Sequence, residues 1–177
     1  SGDNIGKNII ENILKSNSKF IFEGIGGTKM KPLMKKQYFT IKEFKSLGIF
    51  EIIFSIKKYF MMIKKLVNII HDNNYYLIIT IDSPDFNYPL VKRINKKYFK
   101  GKIIHIVAPT VWAWRKNRAK KFSKYYDLML TLFKFENKYF EKFNLKTKCI
   151  GHPIYHIRRN LKFNHKKNLI AFLPGSR

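Results

Sequence analysis

The chain alternates short apolar runs with helical patterns, and this alternation restricts its fold more than any other feature. The runs of strand type cover residues 20–25, 75–81, 102–107, 128–132 and 146–150. Helical patterns cover residues 4–17, 29–36, 47–72, 86–97, 114–124 and 135–143. Strands separated by helices pair in parallel, because each crossover returns the chain to the same end of the sheet. The sequence therefore predicts an α/β fold, with a Rossmann-like parallel sheet flanked by helices.

The two ends of the chain predict its domain organisation. Residues 154–167 are polar, basic and weakly periodic, which is typical of a linker. Residues 168–173 begin a new apolar strand that leads into Pro174-Gly175-Ser176-Arg177. At the other end, Ser1-Gly2-Asp3 runs directly into a helix, as a loop after a first strand normally does. We expect a domain over residues 1–153 that lacks its first strand, a linker over 154–167, and the start of a truncated second domain over 168–177.

The net charge of +25 raises the question of an anionic partner. Only six of the 36 basic residues are Arg, and the lysines are spread over most of the predicted helices. This pattern favours a solvated surface, or attraction to a membrane face or a phosphorylated substrate, over a nucleic-acid partner. A basic nucleic-acid-binding module remains the non-enzymatic alternative. The single cysteine, Cys149, excludes an intrachain disulfide and a cysteine-only metal cluster.

Residues 47–72 form the most apolar stretch of the chain. Four lysines interrupt the stretch, at Lys57, Lys58, Lys64 and Lys65. A membrane-spanning helix needs about 20 nearly uncharged residues, so a spanning segment is not expected. The lysine pairs lie seven residues apart and share one face, which predicts an amphipathic helix. Its apolar side packs on the core or meets lipid, and in the second case Phe60, Met61 and Met62 are the candidate contacts.

The loop Ile81-Asp82-Ser83-Pro84-Asp85-Phe86-Asn87 follows an apolar strand and carries two carboxylates and an amide. In open parallel sheets, ligands bind beyond the carboxyl ends of the strands. Asp82 lies at such an end, where a carboxylate can accept a proton from an attacking hydroxyl. Pro84 favours a turn before the next helix, so Asp85 falls near the helix start, where capping is an alternative role. Asp82 is the predicted catalytic base.

Other loops at strand ends carry polar or aromatic groups. Trp112 and Trp114, beside Arg115, either fill a gap between helix and sheet or form a platform for a sugar ring with the guanidinium near a phosphate. His152 follows a strand and is either structural or part of a site. Arg177 follows Gly175 and Ser176 and can neutralise a phosphate.

The glycines at positions 24, 26 and 27 form half of a dinucleotide fingerprint. Position 29 is Lys rather than Gly, and no acidic residue follows at the expected spacing. A nicotinamide or flavin site is therefore not expected, and no metal-ligand cluster is apparent in the sequence.

Taken together, these segments resemble the lipid-A-disaccharide synthases. Eight segments follow that family's order and approximate spacing: Ser1-Gly2-Asp3, the last part of a Gly-Glu-x-Ser-Gly-Asp loop; residues 22–27; residues 47–51; residues 81–87; Val111-Trp112-Ala113-Trp114-Arg115; residues 133–136; Gly151-His152-Pro153; and residues 173–177. One such motif is weak support, but this many in order are highly specific. The resemblance covers the whole chain and about half of the family's length.

The resemblance implies a two-domain GT-B glycosyltransferase that needs no cofactor or metal. It would join UDP-2,3-diacylglucosamine to 2,3-diacylglucosamine 1-phosphate with inversion, at the cytoplasmic face of the inner membrane, to which residues 47–72 would attach it peripherally. Asp82 matches the family's catalytic carboxylate. The remaining matched positions would bind substrate: Ser1, Gly2, Asp3, Asn87, Trp112, Trp114, Arg115, His152 and Arg177.

This chain departs from the family pattern in three ways. The first strand and its Gly-Glu are absent, Ala108 stands where the family often has Ser, and most of the donor domain is absent. We expect the 177-residue chain alone to have no transferase activity. Another UDP-sugar transferase of the GT-B type is the enzymatic alternative, although its usual Gly-Gly-Thr-Gly-Gly-His loop is not found. A degenerate, non-functional remnant is a third possibility, against which the preserved loops argue.

Overall fold

The computed structural model describes residues 2–40, 52–112 and 117–152. The helices are α1 (Gly2–Ser16), α2 (Ile52–Asp72), α3 (Pro84–Lys92), α4 (Asn117–Ser123) and α5 (Asn137–Glu141), with 3-10 turns at Lys31–Leu33 and Lys134–Glu136. The strands are β1 (Glu23–Gly26), β2 (Lys36–Thr40), β3 (Leu77–Ile81), β4 (Lys102–Ile106), β5 (Leu128–Thr131) and β6 (Lys146–Cys149). The predicted linker over 154–167 and the strand over 168–173 lie outside the described residues.

Every strand pairing among the described residues is parallel, as the alternation of strands and helices predicts. β3, β4, β5 and β6 form one sheet in that order, and β1 pairs with β2 in a second. In the larger sheet Ile81 lies opposite Ile106, and Leu130 lies opposite both Ile106 and Lys148. The α/β, Rossmann-like prediction is confirmed. Because the four strands run the same way, all four of their carboxyl ends lie at one edge of the sheet.

Helix α2 shows how the sequence divides between core and surface. Its buried residues recur at helical spacing and form one face: Met62, Ile63, Leu66, Val67 and Ile70. This face joins a core that also includes Phe99 from the loop before β4, and Phe122, Met129 and Phe140 from the sheet and its later helices. The prediction that Met62 is a lipid contact is wrong, because its side chain is only 6% exposed. Helical spacing places Met62 beside Leu66 on the core face, whereas Phe60 and Met61 remain exposed.

The segment before α2 differs from the sequence prediction. A helix over residues 29–36 was expected, but only Lys31–Leu33 form a 3-10 turn, and Lys36–Thr40 form β2. β2 pairs with β1, and the Gln37 amide donates to the Gly26 carbonyl oxygen at 2.5 Å. The β2 sequence has weak periodicity and its end residues are exposed, so pairing with β1 decides the conformation of this segment.

A carboxylate–tyrosine cluster connects the smaller sheet to the segment that enters β3. The Tyr38 and Tyr75 hydroxyls donate to one carboxylate oxygen of Glu23 at 2.6 and 2.7 Å. The two hydroxyl oxygens also lie 2.9 Å apart. These hydrogen bonds from Tyr38 and Tyr75 lower the pKa of Glu23. The cluster therefore holds β1 and β2 against the larger sheet while the carboxylate is ionised.

Within the described residues, no helix is long and apolar enough to cross a membrane.

Candidate functional site

Unusual backbone conformations gather at the carboxyl edge of the larger sheet. Asp82 and Ser83, directly after β3, have φ of 51° and 45°, and Val107, directly after β4, has φ of 73°. L residues rarely adopt this left-handed region, and for a β-branched residue such as Val107 it is a clear outlier. Strained residues of this kind cluster at functional sites, where the surrounding structure holds them in place. The edge formed by the loops after β3 and β4 is therefore the candidate site.

Asp82 is held by hydrogen bonds of its backbone. Its N–H donates to the Ile106 carbonyl oxygen at 2.8 Å, which extends the β3–β4 pairing by one residue. Its own carbonyl oxygen accepts the Asn87 side-chain amide at 2.6 Å. The Asp82 side chain is partly exposed. The structure thus places a carboxylate on a firmly held turn at the sheet edge, where the sequence predicted it.

Asn87 supports the Asp82 loop from inside the protein. Its side chain is buried in α3, and its amide also reaches the Ile81 carbonyl oxygen, at 3.4 Å. The sequence prediction gave Asn87 a contact with substrate. In the structure its amide nitrogen binds the loop backbone, which makes it a positioning residue for Asp82, and the substrate contact stays a prediction.

Asp85 lies in the first turn of α3, as its position after Pro84 predicts. Its carboxylate pairs with Arg118 of α4, and its backbone carbonyl accepts the Tyr59 hydroxyl at 2.6 Å. A negative charge in the first turn of a helix is favourable. Through these contacts Asp85 connects α3 to α4 and α2.

Asp3 lies in the first turn of α1. Its carboxylate accepts the backbone N–H groups of Gly27, Lys29 and Met30 at 2.8, 3.0 and 3.2 Å. Burial opposes its ionisation, but these hydrogen bonds outweigh burial and lower the pKa of Asp3. Asp3 therefore closes the glycine turn after β1, and the N–H groups that a phosphate would need there are already taken. Gly2 begins α1, and Ser1 lies outside the described residues.

Aromatic rings from three loops meet at the carboxyl edge. The Trp112 ring lies edge-on to Phe135 with centroids 5.0 Å apart. Phe133 stacks on Phe135 and on His152, both at 5.9 Å. Trp112 and His152, both predicted to bind substrate, thus join one aromatic row through two phenylalanines that the sequence analysis did not select. Trp114, Arg115 and Arg177 lie outside the described residues.

Glu136 is a buried carboxylate whose role the sequence analysis missed. It accepts the backbone N–H groups of Leu132 and Phe133 at 2.9 and 3.0 Å. Burial raises its pKa, although the hydrogen bonds from Phe133 and Leu132 work in the opposite direction. The available signal was the Glu three residues after Phe133 at the start of a helical pattern, which is half of a capping box. Glu136 fixes the turn that presents Phe133 and Phe135.

We expect Glu136→Ala to lower the free energy of unfolding by about 2–4 kcal/mol, because it removes a buried carboxylate that accepts two partly buried N–H groups. Urea denaturation at neutral pH measures this loss. Glu141→Ala is the control, because Glu141 is exposed on the adjacent α5 and hydrogen-bonds Thr147 at the surface. Its expected loss is below about 1 kcal/mol. Equal losses in the two variants would show that Glu136 does not hold the turn.

A pocket of about 440 Å³ opens between α3 and α4, next to the Asp82 loop. Its walls include Pro84, Tyr88 and Pro89 of α3 and Arg118, Lys121 and Phe122 of α4. The Tyr88 and Phe122 rings stack with centroids 5.4 Å apart. The pocket therefore has packed apolar walls and two cations. The described residues contain no group of three or more His, Cys, Asp or Glu side chains suited to a metal ion.

Comparison with known proteins shows the family to which this chain is similar. The family described as lipid-A-disaccharide synthetase matches residues 1–177. The lipid-A-disaccharide synthases of Rickettsia prowazekii (strain Madrid E) and Wigglesworthia glossinidia brevipalpis are each 40% identical over the whole chain, which covers 49% and 48% of their lengths. That of Chlamydia felis (strain Fe/C-56) is 36% identical, and the chain covers 30% of it.

The chain thus spans about half the length of most of the curated relatives it matches. Because the family match runs from the first to the last residue, the chain belongs to the lipid-A-disaccharide synthetase family.

Proposed function

We propose that residues 1–153 form the acceptor-side domain of an inverting GT-B glycosyltransferase, followed by a linker over 154–167 and the first strand and loop of a donor domain over 168–177. The reaction joins UDP-2,3-diacylglucosamine to 2,3-diacylglucosamine 1-phosphate and yields lipid A disaccharide 1-phosphate and UDP. It uses no cofactor and no metal. The family match supports the reaction class, and the parallel sheet with its loops at the carboxyl edge supports the place of the site.

The observation that carries this proposal is the position of Asp82, a partly exposed carboxylate on a held turn at the sheet edge. Asp82 takes the proton from the acceptor's 6-hydroxyl as that oxygen attacks the anomeric carbon of the donor. The bond between the anomeric carbon and the diphosphate oxygen breaks, and UDP leaves with the bonding electrons. Attack from the face opposite the leaving group inverts the anomeric carbon. A base at the end of a rigid strand suits this single displacement.

The other matched positions complete the site in this proposal. Trp112 and His152 belong to the aromatic row at the carboxyl edge and offer flat surfaces to a sugar ring. Contacts with substrate are further proposed for Ser1, Gly2, Asp3, Asn87, Trp114, Arg115 and Arg177. Among these, Arg115 and Arg177 contribute positive charge toward phosphate groups.

The test is synthesis of the disaccharide by the full-length enzyme that contains this chain. The purified enzyme is mixed with the two diacylated substrates, and product and released UDP are measured together. Equal amounts of disaccharide and UDP support the proposal. UDP release without disaccharide, or transfer only to an acceptor without acyl chains, would assign the protein to another transferase reaction.

We further propose that α2 attaches the enzyme to the cytoplasmic face of the inner membrane. Phe60 and Met61 are 48% and 57% exposed, whereas the apolar face that runs from Met62 to Ile70 packs on the core. Four exposed lysines belong to the same helix: Lys57, Lys58, Lys64 and Lys65. An apolar pair beside cations matches the surface of an anionic bilayer.

The double variant Phe60→Ser, Met61→Ser is expected to bind vesicles that contain anionic lipid at least about tenfold more weakly, because two apolar side chains no longer enter the bilayer. Vesicle co-sedimentation at physiological salt measures the change. Ile21→Ser is the matched control, since Ile21 is another exposed apolar residue and lies outside α2. Unchanged sedimentation of the double variant would remove α2 from membrane attachment.

A further inference from the structure

We propose that the pocket between α3 and α4 binds the phosphate monoester of the acceptor sugar, with Arg118 and Lys121 as the recognising cations. This inference rests on the proposed function, because it assigns a subsite to that reaction's acceptor. The pocket is lined by both cations and lies beside the loop that carries Asp82. It is distinct from the glycine turn after β1, where Asp3 already occupies the N–H groups.

The low exposure of Arg118 and its ion pair with an exposed carboxylate favour an anion as the ligand of the pocket. Its side chain is only 20% exposed, whereas its partner Asp85 is 79% exposed. A mostly buried arginine side chain is thus partnered by a carboxylate that is largely exposed to solvent. Arg has five N–H donors in a planar fork, so Arg118 can bind phosphate oxygens while it shares or releases Asp85. Lys121 adds a second positive charge in the same pocket, so the cations outnumber the Asp85 carboxylate there.

The apolar walls favour a sugar phosphate over a free anion. Tyr88, Pro84 and Pro89 form the wall on α3, and the Tyr88 ring stacks at 5.4 Å on Phe122, which is only 1% exposed and supports that wall from behind. Sugar rings pack their C–H faces on such aromatic and apolar surfaces, whereas inorganic phosphate gains nothing from them. The Arg118 side chain is only 20% exposed, so water screens its charge less, which strengthens its attraction for phosphate.

The position of the pocket fits the reacting group. Asp82 lies two residues before Pro84, so their Cα atoms are at most about 7.6 Å apart. In the acceptor, the phosphate-bearing carbon and the carbon that carries the hydroxymethyl group both flank the ring oxygen. The phosphate and the 6-hydroxyl are thus carried on the two carbons next to the ring oxygen, and a sugar whose phosphate binds Arg118 and Lys121 can bring its 6-hydroxyl to the Asp82 loop.

Calorimetric titration of the full-length enzyme tests the pocket. N-acetylglucosamine 1-phosphate is a soluble probe for the phosphorylated acceptor, and UDP at saturating concentration occupies the proposed donor site. Arg118→Ala and Lys121→Ala are each expected to weaken binding of this probe by about ten- to a hundredfold, the range for a lost charged hydrogen bond. Neither change should affect binding of N-acetylglucosamine. Arg118→Lys should restore part of the affinity, because it keeps the charge and loses the fork.

Lys120→Ala is the matched control, because Lys120 is exposed on the same helix and does not line the pocket. Circular dichroism checks that each variant is folded. An Arg118→Lys variant that is folded and binds the sugar phosphate like the wild type, together with a wild-type-like Lys121→Ala, would overturn the proposal. Equal losses for Lys120→Ala and Lys121→Ala, or inorganic phosphate that binds as tightly as the sugar phosphate, would also overturn it.

A kinetic arm separates this inference from the proposed function. With the phosphorylated diacyl acceptor, Arg118→Ala should raise the acceptor KM and leave kcat nearly unchanged, because the lost contact serves binding in ground state and transition state alike. If Arg118→Ala is active and its acceptor KM is unchanged, the proposed phosphate pocket is wrong, but the proposed reaction is not contradicted. If the wild-type enzyme makes no disaccharide but binds the sugar phosphate through Arg118, the proposed reaction is wrong, but the proposed pocket is supported.

Discussion

Asp82→Asn in the full-length enzyme is expected to lower kcat by about 10²- to 10⁴-fold, the range for loss of a general base. The amide cannot take the proton from the attacking hydroxyl at neutral pH. The fold should persist, because both structural hydrogen bonds of Asp82 use its backbone: its N–H binds the Ile106 carbonyl, and its carbonyl oxygen binds the Asn87 amide. Asn is a better choice than Ala, since Asn tolerates the φ of 51° at this position.

Turnover of the diacylated substrates and urea denaturation of each variant measure these two expectations. Glu11→Gln is the control, because Glu11 is a surface carboxylate on α1 paired with Lys7 at 3.4 Å. We expect it to retain wild-type turnover, and both variants to stay within about 0.5 kcal/mol of wild-type stability. Near-normal turnover in Asp82→Asn would remove Asp82 from the mechanism.

The larger sheet could be predicted because its strands carry strong local signals. β3 and β4 each carry three isoleucines within five residues, a composition that favours strands of a parallel sheet. β2 could not be found in this way, since its conformation depends on pairing with β1 across a turn that the Asp3 carboxylate closes. A contact between residues 24 positions apart leaves no periodic trace in the sequence.

The sequence could predict which residues lie at the candidate site, but it could not predict the contacts that several of them make there. Asp82 could be selected because it follows an apolar run, and its place at the sheet edge follows from the parallel order. Sequence spacing does not show that Asn87 points its amide into the loop backbone, or that Arg118 pairs with Asp85 from another helix. Met62 shows the limit of periodicity alone, because one step along a helix separates a core residue from the exposed Met61.

Acidification from pH 7 to pH 5 is expected to destabilise the protein by about 2 kcal/mol through His105 alone. His105 is fully buried in β4, and its Nδ1 lies 2.7 Å from the Thr80 hydroxyl. Burial lowers the pKa of His105 to about 3, although the backbone of Val107 favours the charged form. An unfolded histidine has a pKa near 6.5 and takes up a proton below that pH, whereas the folded one stays neutral. The stabilisation is therefore complete above about pH 6.5 and is lost as the pH falls toward 3.

The comparison with His105→Gln isolates this effect. Gln keeps a polar group within reach of Thr80 but does not titrate, so its stability should fall by about 2 kcal/mol less than that of the wild type between pH 7 and pH 5. Glu136 contributes in the opposite direction, because its raised pKa makes the folded state bind a proton more readily, and this contribution cancels in the difference between the two proteins. Urea denaturation of both proteins at pH 7 and pH 5 provides the four free energies. Equal losses in wild type and His105→Gln would mean that His105 takes up its proton in the folded protein as readily as in the unfolded chain, and that its burial in β4 does not hold it neutral.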